Sequence, residues 1–128
     1  MTDPNAHTLN RYLSACEARD PSTISACFAP NARICDPTGE FYGIDSVREY
    51  FETIYMDLAK LVFETRSVFW CNSSCAVEWE GKAIRRDGTN LTYQGIDVFT
   101  FNEETQIVLL WAFWTPLDLV STTISHNS

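Results

Sequence analysis

Histidine is almost missing from this chain. The two present, His7 and His126, lie near its ends, where chain order is usually poorest. A Ser–His or Cys–His dyad therefore has no histidine to draw on, and neither has a histidine-rich metal site. Paired cysteines are missing too. Cys16, Cys27, Cys35, Cys71 and Cys75 contain no C-x-x-C spacing, and the odd count of five argues for free thiols rather than a disulfide framework. No metal is expected. Basic runs are also absent, and the net charge is −8. That field repels phosphate backbones and anionic lipid surfaces, which excludes nucleic acid and membrane as partners. Long hydrophobic runs are lacking as well: Ile107 to Trp114 is the longest, far too short to span a bilayer. The opening MTDPNAHTLN has no apolar signal core, so a cytoplasmic location is expected. Acid–base chemistry in such a chain falls to carboxylates and tyrosines.

What is present is aromatic surface. Four Trp, five Tyr and eight Phe suit a core or pocket lined by flat apolar rings. A length of 128 residues is expected to form one domain, 1–128, with short flexible tails at 1–5 and 120–128. Leu9, Tyr12, Leu13 and Cys16 fall on one helical stripe between His7 and Arg19. Asp20-Pro21 ends that helix and opens a short second one, roughly Pro21 to Phe28. Ala32 to Asp36 alternates as a short strand and stops at Pro37. A third helix begins at Asp45 or Ser46, with Val47, Tyr50, Phe51, Ile54 and Leu58 inward. Four strands follow: Leu61 to Trp70, Cys75 to Arg86, Asn90 to Phe101 and Gln106 to Thr115. Asp87-Gly88 marks a hairpin turn. The expected class is α+β, a curved antiparallel sheet packed against three helices that enclose an apolar pocket.

Three residues stand out as carriers of chemistry. Asp97 lies in YQGIDVFTF and shares a strand face with Leu91, Tyr93, Phe99 and Phe101. A carboxylate in an aromatic row is costly unless hydrogen-bonded or protonated, and desolvation raises its pKa. A paired structural aspartate, or a strand edge open to water, would account for it equally well. Asp36 ends a strand before Pro37; taken alone it reads as a turn aspartate. Tyr12, taken alone, reads as a core tyrosine.

Together these residues form a pattern. RYLSACEARDPSTISACFAPNARICDPTGEFYG resembles the start of the bacterial Δ5-3-ketosteroid isomerases, members of the NTF2-like, SnoaL-like superfamily of cone folds. The likeness rests on Arg11-Tyr12, Asp20, Asp36-Pro37 with Gly39, and Tyr42-Gly43, resumes at Ile96-Asp97-Val98 and ends at Ala112-Phe113-Trp114. Tyr12 and Asp36 stand 24 positions apart, as the family's tyrosine and base do. The resemblance implies an NTF2-like cone with Asp36 as general base and Tyr12 and Asp97 as oxyanion-hole donors. Trp114, Leu110, Tyr93, Tyr50 and Phe51 are expected to line the substrate site. It implies cofactor-independent isomerisation of an apolar carbonyl compound: a β,γ double bond shifts into conjugation.

The chain also departs from the family. Phe28 and Phe51 stand where some members carry two tyrosines behind the oxyanion tyrosine, so that network is lost or rebuilt through Tyr50 or Tyr55. Tyr93, beside Gly95, occupies a wall position where an aliphatic is common. A steroid, terpenoid or polyketide-like substrate fits such a pocket. Two other readings remain open at this level. A SnoaL-like cyclase or epoxide hydrolase would use Asp36 and Asp97 as acid and base, the hydrolases with an arginine between the carboxylates; Arg66 and Arg85 are the candidates. A non-catalytic binding or dimerisation domain would use neither. The stretch Ile107 to Trp114 is apolar on both strand faces, which leaves one face for the pocket and the other for a helix or a second copy, so a homodimer is expected.

Overall fold

A computed structural model describes residues 3–116. Helix α1 spans Pro4–Ala18. Its cap is local chemistry: Asp3 accepts from the Asn5 N–H at 2.9 Å, and Pro4 occupies the first turn. Residues 4 and 5 are therefore helical rather than part of a loose tail. Arg19 ends α1 in the left-handed conformation, and its guanidinium donates to the Leu58 carbonyl at 2.9 Å. Asp20 then caps α2 (Pro21–Ala26) through the Thr23 N–H and hydroxyl. Helix α3 spans Ile44–Met56 and turns Val47, Phe51 and Tyr55 inward. The expected tail at 120–128 lies outside the described residues.

The strands are β1 (Phe28–Asp36), β2 (Gly39–Tyr42), β3 (Leu58–Cys71), β4 (Ser74–Arg85), β5 (Asn90–Phe101) and β6 (Ile107–Pro116). They form one sheet in the order β2-β1-β6-β5-β4-β3. Three expectations are corrected here. Phe28 opens β1 instead of closing α2, and a further strand, β2, pairs with β1 through Ile34 and Phe41. The sheet is also mixed rather than antiparallel, because β1 and β6 run parallel, Ile34 opposite Leu110. The cause is topological. Helix α3 carries the chain from the β1–β2 hairpin to the far edge, and the β3–β6 meander returns step by step until β6 lies against β1.

Side-chain alternation gives the sheet two unlike faces. On the inner face Val77, Phe99 and Leu110 pack under Tyr12, Cys16 and Phe51 of the helices. Phe99 is fully buried, worth about 2–3 kcal/mol at ordinary transfer values. The sheet curves around this cluster and leaves a cavity beyond it, toward the β3–β4 side. The outer face carries Phe69, Ile96, Trp111 and Phe113 to solvent, with the Trp111 and Phe113 rings stacked at 5.7 Å. No helix among the described residues is long and apolar enough to cross a membrane.

Candidate active site

The cavity between helices and sheet has a volume of about 350 Å³, within the range of small-molecule sites. Tyr12 and Cys16 of α1, Tyr50, Phe51 and Tyr55 of α3, and Trp79, Tyr93, Asp97, Leu110 and Trp114 of the sheet contribute to its wall. All five residues expected at a substrate site thus border one space. Tyr93 meets Trp114 edge-on, with ring centres 5.8 Å apart.

Asp97 reaches the cavity because alternation along β5 turns it to the same side as Phe99 and Phe101. The residue as a whole keeps some exposure, since it borders the open cavity, but its Oδ1 is sealed and makes no hydrogen bond among the described residues. Burial is the main influence on the carboxyl and pushes its pKa up from 3.8 to about 7. The Trp79 indole N–H opposes the rise, yet it is not aligned to close a hydrogen bond. At neutral pH a large share of Asp97 is therefore protonated, and a protonated carboxyl is a donor.

Tyr12 is buried to 4% exposure and packs edge-on to Phe28, Phe51 and Phe99. Burial drives its pKa well above the ordinary tyrosine range, and the neighbouring Cys16 and Asp97 add to the rise. It remains a neutral donor at any physiological pH. Cys16, one turn along α1, is held up at about 12 by burial, while the Tyr12 and Tyr55 side chains hydrogen-bond toward it and oppose that rise. Cys16 is thus a thiol placed between two tyrosines, Tyr12 and Tyr55. Tyr55 was foreseen as a possible substitute; Cys16 was not.

Asp36 occupies a different position. Its Oδ1 accepts from the Thr38 N–H at 2.7 Å, the Thr38 hydroxyl at 2.6 Å and the Gly39 N–H at 3.1 Å. That is the turn role its Asp-Pro context suggests. Its Oδ2 accepts from the Tyr50 hydroxyl at 2.7 Å. Asp36 is not among the residues that border the cavity; it stands one hydrogen bond behind Tyr50, which does. Burial pushes the Tyr50 pKa far up, the bond to Asp36 and the Asp36 and Asp97 charges add to it, and the Trp114 side chain opposes. Tyr50 is accordingly bonded to Asp36 and lies within the electrostatic reach of Asp97. Sequence reasoning placed it as a wall residue and missed the bond, because a helix-to-turn contact has no local signature.

The arginines do not bridge the carboxylates. Arg66 pairs with Glu80 at 2.7 Å, both bordering a hollow on the outer face. Arg85 stands at the cavity rim and pairs with Asp57 at 3.3 Å. No cluster of three metal-ligating side chains occurs among the described residues.

Comparison with known proteins agrees with this architecture. A steroid Δ-isomerase from Nocardioides simplex is 31% identical over 116 residues, spanning 88% of this chain and 90% of the relative. An NTF2-like protein of unknown function from Burkholderia pseudomallei superposes with a TM-score of 0.81 at 16% identity, over 94% of this chain and 97% of its own. The epoxide hydrolase/cyclase-like enzyme SalBIII superposes with a TM-score of 0.77 at 24% identity, over 87% and 90%. The SnoaL-like domain model matches residues 9–110. With helices, sheet, cavity and sequence in agreement, the chain belongs to the SnoaL-like domain family and has the NTF2-like fold.

Proposed function

We propose that the protein is a ketosteroid isomerase-like enzyme that moves a β,γ double bond into conjugation with a carbonyl. The observation that carries the reading is Asp97, a carboxyl kept largely neutral inside an aromatic cavity beside a neutral tyrosine. Ketosteroid isomerase is itself a standard illustration of a buried neutral carboxylic acid paired with a tyrosine, so the parallel is one of type. The apolar rings take up the carbon skeleton. The carbonyl oxygen faces Tyr12 and Asp97. Asp36 takes the proton from the carbon between carbonyl and double bond through Oδ2; because Tyr50 stands between Asp36 and the cavity, the bound substrate must first displace the Tyr50 hydroxyl from that oxygen. The C–H electron pair forms a new C=C bond, and the carbonyl π electrons move onto oxygen. Tyr12 and neutral Asp97 donate to that oxygen as its charge grows. Asp36 then returns the proton to the γ carbon, giving the enone. No oxidant, metal or organic cofactor enters this balance.

Among the described residues neither Arg66 nor Arg85 bridges Asp36 and Asp97, which weighs against the epoxide-hydrolase alternative. The apolar outer face, with Trp111 and Phe113 stacked and about half exposed, supports a homodimer built sheet to sheet. The decisive assay follows ultraviolet absorbance of the conjugated enone from a β,γ-unsaturated ketosteroid. Asp36→Asn should lower kcat about 10²–10⁴-fold, the usual worth of a positioned base. Equal rates in wild type and variant would remove Asp36 from the mechanism.

A further inference from the structure

Trp79 is a residue the proposed reaction does not use, yet its placement is tightly constrained. It lies opposite Gly95 across β4 and β5. A Cβ on Gly95 would stand 2.7 Å from Trp79 Cζ2 and 2.9 Å from Cε2, the carbon that bears Nε1. The indole therefore lies directly on the β5 backbone, in a seat only glycine leaves open. Phe63 holds it edge-on at 5.1 Å, and the space over Gly81 receives its other rim. Asp97 is two residues along the same face of β5, a diagonal neighbour within reach of an aromatic side chain. Trp79 Nε1 and Asp97 Oδ1 are both buried, and neither has a hydrogen-bond partner among the described residues. An orphaned buried polar group costs about 1–3 kcal/mol, and a bond between these two atoms would relieve both.

We propose that Trp79 is a positioning residue for Asp97: its N–H engages Oδ1, fixes that atom as the carbonyl end of the neutral carboxyl, and leaves the proton on Oδ2, toward the cavity. The role rests on Asp97 serving as a neutral donor, as set out above. A carboxyl proton has two oxygens to choose from. The indole N–H is a donor only, so the oxygen facing it must accept. The groups that otherwise face Asp97 do not make this choice. Tyr12 and Cys16 from α1 and Tyr50 from α3 are neutral, Val77 and Ala112 opposite it on the neighbouring strands are apolar, and Arg85 at the rim is engaged by Asp57.

The test uses the full chain labelled with carbon-13 and nitrogen-15, without ligand. The Asp97 carboxyl and Trp79 indole resonances are followed with pH. The indole proton should titrate with the same midpoint as the Asp97 carboxyl, and Asp97→Asn should flatten it. Trp79→Phe should raise the carboxyl midpoint, because an N–H donor favours the ionised form, and lower kcat on a β,γ-unsaturated ketone about tenfold with little change in KM. An indole resonance indifferent to Asp97, or an unmoved midpoint in Trp79→Phe, overturns the proposal; the first readout needs no tryptophan substitution to fold. If the resonances are coupled but wild type converts no β,γ-unsaturated ketone, the isomerase reading fails while the Trp79–Asp97 contact stands.

Discussion

Replacing Asp97 with asparagine should remove a specific pH dependence of stability. Burial raises the Asp97 pKa from 3.8 to about 7. In the unfolded chain the group ionises near its ordinary value, so between those two pH values the folded state binds the extra proton. Stability contributed by that proton is full below pH 3.8 and is lost as pH rises through 7. Each pH unit of separation is worth 1.36 kcal/mol, so the full span amounts to about 4 kcal/mol. From pH 5 to pH 8 the part still to be lost is about 3 kcal/mol. Urea unfolding of wild type and Asp97→Asn at both pH values isolates the effect, because all other titrating groups are shared. Wild type should lose about 3 kcal/mol more than the variant over that interval. Equal losses in the two proteins would mean that Asp97 is solvated, and the neutral donor at the centre of the proposed mechanism would go with it.

Gly95→Ala should cost about 1–3 kcal/mol in chemical denaturation, because its Cβ would meet the Phe113 carbonyl oxygen at 2.6 Å as well as the Trp79 ring; unchanged stability would place the indole elsewhere. Tyr50→Phe leaves Asp36 Oδ2 without its donor and should lower the unfolding free energy by about 1–3 kcal/mol; no loss would mean the bond is not formed in solution. Trp111→Lys with Phe113→Lys should yield a monomer by light scattering where wild type gives a dimer, and a monomeric wild type would dismiss the sheet-to-sheet interface.

Local chemistry made much of this architecture legible. Asp20-Pro21 announced a helix boundary and Asp97 announced an inward carboxyl, because capping and strand alternation act over a few residues. The same Asp-Pro signal at Asp3-Pro4 passed for a tail, although Asp3 caps α1 as Asp20 caps α2. Strand β2 was hidden because Gly39 to Tyr42 has no apolar alternation to speak of; β1 and the Asp36 turn hold it in place. The parallel pairing of β1 with β6 joins residues 76 positions apart, Ile34 with Leu110, and no local pattern encodes a partner so distant. The bond from Tyr50 to Asp36 was invisible for the same reason. Trp79 is the instructive case. The glycine opposite it was the available signal, for a large ring facing a residue with no side chain invites the ring to cross the strand.

The central placement of β6 sets a condition on how the molecule is made. Its edges join β1 on one side and β5 on the other, so everything synthesised before Ile107 amounts to two unconnected half-sheets, β2-β1 and β5-β4-β3. On a ribosome the chain must wait for nearly its last described segment before the halves can be stitched together, and Leu110, Ala112 and Trp114 arrive with that segment. Nascent chains arrested ahead of it should offer two open strand edges to chaperones or to one another.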